Sequence, residues 1–75
     1  MAPARRVAIR TPSIELGALL KWVNLAATGG EAKALIQQGR VAVNGIVERR
    51  RGRRVYPGDR VALGRYAVLI EREAP

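Results

Sequence analysis

The sequence predicts an α+β fold: two short antiparallel helices packed on a small twisted, mostly antiparallel sheet with a central β-hairpin. Three observations predict it. Between Leu16 and Ile36 apolar residues recur at helical spacing, from Val41 onward they alternate, and Asn44-Gly45 separates two of the alternating runs. Asn-Gly is a strong hairpin signal, because both central positions of the turn need positive φ. The 75 residues suffice for one domain. Its motif core is expected over 14–63, with an N-terminal strand (5–10) and a C-terminal strand (66–71) extending the sheet.

The elements follow in order. Arg5 to Arg10 alternates, with Val7 and Ile9 on one side, and fits a short strand at the sheet edge. Thr11-Pro12-Ser13 is punctuation: a hydroxyl on either side of a proline suited to a first helical turn. In helix one, Leu16, Leu19, Leu20 and Val23 fall at i, i+3, i+4 and i+7 and make one apolar stripe. Lys21 lies off that stripe. Trp22 sits at its edge. It is expected as a lid on the core in preference to a base-stacking platform, since no second aromatic is near it in sequence. Asn24 or a neighbour ends the helix.

Thr28 with Glu31 three residues on is a capping-box pattern that opens helix two. Ala32, Leu35 and Ile36 form its buried face, and Gly39 is the expected left-handed residue at its end. A helix of about ten residues does not stand alone in water, so it must pack on helix one. Val41 and Val43 share a face before the turn, where Asn44 is expected to be turn-forming. The return strand begins at Ile46 and runs into the arginines. Tyr56 to Asp59 makes a tight turn centred on Pro57-Gly58. Val61 and Leu63 belong to another strand, and Gly64-Arg65 turns into the last one.

Composition narrows the function. Fourteen Lys and Arg against six Asp and Glu give net +8, an excess that marks a polyanionic partner. Twelve of the fourteen are arginine, whose planar fork suits phosphate; the base composition of the source genome would produce the same bias. Cysteine and histidine are absent, which excludes disulfides, thiolate zinc sites and histidine acid–base chemistry. Ser13 is the only serine and sits at an expected helix start, Asp59 follows a turn glycine, and the five glutamates show no pairing. So the chain is expected to be no enzyme, to need no cofactor and to lack a cleft of about 300 Å³ or more, the size of a ligand pocket. No signal-peptide pattern and no apolar run of membrane-spanning length are present. A cytoplasmic monomer is expected.

Five of the six residues from Arg49 to Arg54 are arginine. Holding them on a folded segment costs repulsion that solubility alone does not require, and no amphipathic helix or lipidation motif supports a membrane patch. Arg49, Arg50, Arg51, Arg53 and Arg54 are therefore the candidate phosphate contacts, with Lys33, Arg40 and Lys21 as further electrostatic contacts. Lys33 and Arg40 are expected on the hairpin side. The amides of Gly29 and Gly30, in the unsatisfied first turn of helix two, are a candidate anion site. The alternative there is that the glycines only tolerate a tight turn.

The string from Glu31 to Gly45, EAKALIQQGRVAVNG, resembles the centre of the RNA-binding domain named after ribosomal protein S-four, the αL motif. Ala32, Ile36, Gly39, Val41, Val43, Asn44 and Gly45 carry the resemblance, and Gly58-Asp59 with Val61 and Leu63 extends it. LLKW (Leu19 to Trp22), TGGEAK (Thr28 to Lys33) and RRGRR (Arg50 to Arg54) are similar to a branch of small free-standing bacterial proteins. The chain departs from the wider family where Gly29 replaces an arginine and where Glu15-Leu16-Gly17 replaces R-L-D. The glycine amides and Lys33 are expected to substitute there. The resemblance implies non-catalytic binding of structured RNA, ribosomal or transfer RNA, in the setting of the ribosomal subunit, its assembly or its quality control. The rival reading is an interaction protein whose basic face docks an acidic protein partner. Duplex DNA binding lacks a long recognition helix.

Overall fold

The computed structural model describes residues 4–74. Its elements are β1 (Arg5–Ile9), β2 (Ile14–Glu15), α1 (Leu16–Trp22), α2 (Gly29–Gln37), β3 (Val41–Val43), β4 (Ile46–Val47), β5 (Arg54–Val55), β6 (Arg60–Leu63) and β7 (Tyr66–Arg72). Two helices pack on a five-stranded sheet of order β1-β7-β6-β3-β4, and β2 and β5 form a separate two-stranded ribbon. The sheet is mixed. β7–β6, β6–β3 and β3–β4 are antiparallel, whereas β1 joins the edge parallel to β7, with Val7 opposite Ile70.

Period decides what is buried. Leu16, Leu19, Leu20 and Val23 of the α1 region interlock with Ala32 and Ile36 of α2 above the inward residues of the sheet: Val41, Val43, Val61, Val68, Ile70, Val7 and Ile9. Each large aliphatic side chain so buried contributes about 1.5–3 kcal/mol of transfer free energy. No polar side chain is buried among the described residues, so the core between the layers is apolar throughout.

Local signals end the elements where expected. Thr28 Oγ1 accepts the Glu31 amide at 3.1 Å and caps α2. Asn24 (φ 63°) follows α1 and Gly39 (φ 75°) follows α2 in left-handed conformation. Asn44 and Gly45 (φ 53° and 83°) make the hairpin turn. Asp59 is structural: its carboxylate accepts the Tyr56 amide (2.8 Å) and Asn44 Nδ2 (3.0 Å), and Asn44 Oδ1 accepts the Arg60 amide (2.9 Å). Both ends of the Asn44 amide are thus committed to tying the hairpin tip to the 56–59 turn.

Three expectations are corrected. Thr11-Pro12-Ser13 does not open α1: Thr11 Oγ1 bonds the Ser13 carbonyl (2.7 Å), and β2 intervenes. The return strand does not run into the arginines but ends at Val47 after two residues, because the chain leaves the sheet to reach α1. Trp22 is no core lid. It is 54% exposed, since it follows Lys21 on the outer side of a helix whose buried stripe is already filled by leucine.

Candidate nucleic-acid interface

The arginine run is an ordered loop, 48–53, that crosses from the end of β4 to the start of β5. Its backbone completes α1. The first amides of a helix have no intrahelical acceptor, and here the Leu16 amide bonds the Arg53 carbonyl (2.8 Å) while the Gly17 amide bonds the Arg51 carbonyl (3.1 Å). Glu15, at the N-cap, makes no side-chain cap bond. The approach is close enough that a Cβ on Gly17 would lie 2.6 Å from Arg51 Cγ, so glycine is what lets the Arg51 side chain lie on the helix.

Glu48 organises the loop. Its Oε2 accepts the amides of Arg49 (3.1 Å) and Arg50 (3.2 Å) and Arg50 Nε (3.4 Å), and its Oε1 accepts Arg53 Nη1 (3.2 Å). The side chain is only 12% exposed. Burial alone would raise its pKa, but the Arg50 amide and guanidinium and the Arg53 guanidinium prevail and hold the carboxyl below its ordinary value. A single carboxylate thereby offsets the mutual repulsion of its neighbours.

The five arginines have different roles. Arg49 Nη1 donates to the Gln37 carbonyl (3.1 Å), and its guanidinium lies against Gly39, where a Cβ would come within 2.6–2.9 Å. It therefore satisfies the C-terminal end of α2, where the helix dipole favours a cation. Arg5 does the same for α1, Nη1 donating to the Val23 carbonyl at 3.3 Å. Arg50 extends past Glu48 with an 80% exposed side chain. Arg51 packs its aliphatic stem on Gly17 and is otherwise exposed. Arg53 is partly buried against Glu48. Arg54 spans β5 to β2, with Nε on Ser13 Oγ (2.9 Å), Nη2 on the Ser13 carbonyl (3.3 Å) and Nη1 3.7 Å from Glu15.

Arg49 at the end of α2 and Arg51 at the start of α1 are two residues apart, which sets the helices antiparallel. Gly17 and Lys21 lie at i and i+4 on α1, so Lys21 stands one turn from Arg51 on the same ridge. Lys33 lies at the same spacing before Gln37, the residue that Arg49 bonds. The spacing thus puts Lys21 on the ridge that carries Arg51, and Lys33 one turn before the residue whose carbonyl Arg49 bonds. Arg40 lines a cleft of about 640 Å³ with Glu31, Leu35, Arg65 and Tyr66, on the flank of α2 toward the β6–β7 turn. Arg40 itself lies beyond the end of α2, on the flank that bears Glu31 and Leu35.

Gly29 and Gly30 begin α2, about 13 Å from its arginine-bearing end at 1.5 Å per residue. A Cβ at Gly29 would meet nothing within 4 Å and one at Gly30 only Thr28 Oγ1 at 3.9 Å. Neither packing nor positive φ demands glycine there, and of the first-turn amides that of Glu31 is taken by Thr28 Oγ1.

The expectation of no sizeable cleft is also overturned. Besides the one at Arg40, a cleft of about 560 Å³ lies beside Trp22, lined by Ala8, Ile9, Arg10, Thr11, Ile14 and Glu73. Among the described residues no cluster of His, Cys, Asp or Glu could hold a metal ion, and no helix is long and apolar enough to cross a membrane. The sequence reading missed Glu48 as the hub and Gly17 as the seat of the loop. A lone acid beside an arginine run was the available signal for the first.

A family model described as the S4 domain matches residues 7–71. Over 60 residues, 80% of this chain and 84% of the relative, the chain is 38% identical to a Bacillus subtilis (strain 168) protein named "Probable ribosome maturation protein RlbA". Over 59 residues, 79% of this chain and 84% of the relative, it is 34% identical to an Escherichia coli (strain K12) protein named "Putative RNA-binding protein YbcJ".

Proposed function

Since the chain belongs to the S4 domain family, a family of RNA-binding and not catalytic domains, we propose that it acts as a single non-catalytic domain that docks on structured RNA. The docking face is loop 48–53 with the adjoining ridges of α1 and α2. Arg50 and Arg51 are its principal phosphate contacts, Arg54, Arg53 and Arg49 add charge while holding the scaffold, and Lys21 and Lys33 extend it. The Gly29 and Gly30 amides offer a further anion contact at the far end of α2.

The observation that carries this reading is the hub at Glu48. It fixes the backbone of the arginine loop while leaving the Arg50 side chain 80% exposed. A disordered solubility segment needs no such anchor. A preformed cationic surface recognises the phosphate geometry of a fold, not base sequence. The names of the relatives support ribosomal RNA, met during maturation of a ribosomal subunit, as the RNA concerned.

The test is anisotropy of labelled stem-loop RNA, duplex DNA and single strands across a salt series. Four to six phosphate contacts predict a slope of log K on log salt of about −3 to −5 for the stem-loop, with weaker binding of the other two. Capture of a cellular partner that survives nuclease digestion, with no salt-dependent RNA binding, would instead favour an acidic protein partner.

A further inference from the structure

We infer that the cleft beside Trp22 receives one unstacked nucleobase of the bound RNA, next to the arginine loop; the inference rests on the RNA-binding reading above. Trp22 is half exposed and is the only tryptophan of the chain. Ile14, Ala8 and Ile9 share its cleft, and Arg10 and Thr11 stand with them. An indole in an apolar recess takes a flat aromatic ring, and any base presents one. At about 560 Å³ the cleft is of small-ligand size; a base that fills it must have left its helix.

Charge and continuity make the occupant part of a nucleic acid. The one carboxylate in the cleft, Glu73, is paired with Arg10 (Nε to Oε2, 3.1 Å), so it does not repel a phosphate. The cleft also adjoins Arg54, which follows the docking loop at the start of β5, through a single residue. Ser13 accepts Arg54 Nε on its hydroxyl and Arg54 Nη2 on its carbonyl, and the same carbonyl accepts Thr11 Oγ1 at 2.7 Å. Thr11 lines the cleft, and Ile14 follows Ser13 in the chain. A strand whose phosphates lie on Arg54 is thereby led to Trp22. Helical RNA ending in an unpaired nucleotide offers both parts.

Trp22 is its own reporter. Its emission is followed while a blunt RNA duplex, or the same duplex with a short single-stranded extension, is added, and affinity is read separately by anisotropy of the labelled RNA. The extended RNA is expected to quench the emission more than the blunt one. Trp22→Leu is expected to lose about tenfold in affinity for the extended RNA, the scale of one base–aromatic stack, with the blunt duplex unaffected; Trp22→Phe keeps most of it. Circular dichroism confirms that each variant is folded. If both RNAs bind by anisotropy while the emission stays unchanged, or Trp22→Leu weakens both equally, the stacking site is wrong and RNA docking stands. If neither RNA binds, both proposals fall. Polyglutamate quenching as strongly as the extended RNA would also overturn the base site.

Discussion

Glu48 accepts four hydrogen bonds from three arginines, and this fixes how acid acts on the loop. Its folded pKa is lowered from the ordinary 4.5. Its contribution to stability is therefore full above about pH 4.5 and is lost as pH falls through the lower folded value. Glu48→Gln is expected to lower the urea midpoint at pH 7, and the gap from the parent should close as the pH drops below 4.5. A gap that stays constant down to pH 3 would mean that the charge is not what the arginines bind. Gly39→Ala combines a left-handed backbone (φ 75°) with a clash against the Arg49 guanidinium; about 1 kcal/mol or more is expected, measured by denaturant unfolding. At this scale the sequence was legible where the backbone itself makes the demand, as at Gly39 and Asn44-Gly45. It was silent where the partner is remote. Nothing local announces that Arg49 will bond Gln37, twelve residues back.

Among the elements, α2 carries its own instructions and α1 does not. The Thr28 cap, the Ala32–Ile36 face and Gly39 all lie within or beside α2, so its bounds could be read. Thr28→Ala is expected to cost about 1 kcal/mol, with RNA affinity changed little if the Gly29 and Gly30 amides keep their place. The start of α1 was misread because its first amides are capped by the carbonyls of Arg51 and Arg53, brought there by the fold. Gly17 is the hinge of that arrangement. Gly17→Ala gains up to about 1 kcal/mol of helix propensity, yet its Cβ must displace Arg51. The expected outcome is a thermal midpoint near that of the parent with clearly weaker RNA binding. Equal affinity would show that the position of Arg51 on α1 does not matter. The arginine run was legible as charge and illegible as architecture: the sequence shows five arginines within six residues, not that one sets its guanidinium against Gly39, another its aliphatic stem on Gly17 and a third its guanidinium on Ser13.

Over the whole molecule, the core and the charge occupy separate layers. The apolar pattern that defines the sheet and the helix stripes was readable, and Leu20→Ala, at a fully buried position, is expected to cost about 2–5 kcal/mol. The parallel seat of β1 was not readable, since alternation says which face is buried but not which neighbour or direction a strand takes. Two-sidedness escaped too. Arg40 lines a separate cleft with Arg65, while loop 48–53 links the two helix ends, so a uniform count of basic residues overstates how many can meet one RNA. The most direct test is therefore the salt dependence of stem-loop RNA binding by Arg50→Gln/Arg51→Gln, beside Arg40→Gln/Arg65→Gln with the same net charge. The loop as docking site predicts that the first pair flattens the slope of log K on log salt by about 1.5 and that the second leaves it near the parent value. Equal slopes for the two pairs would contradict it.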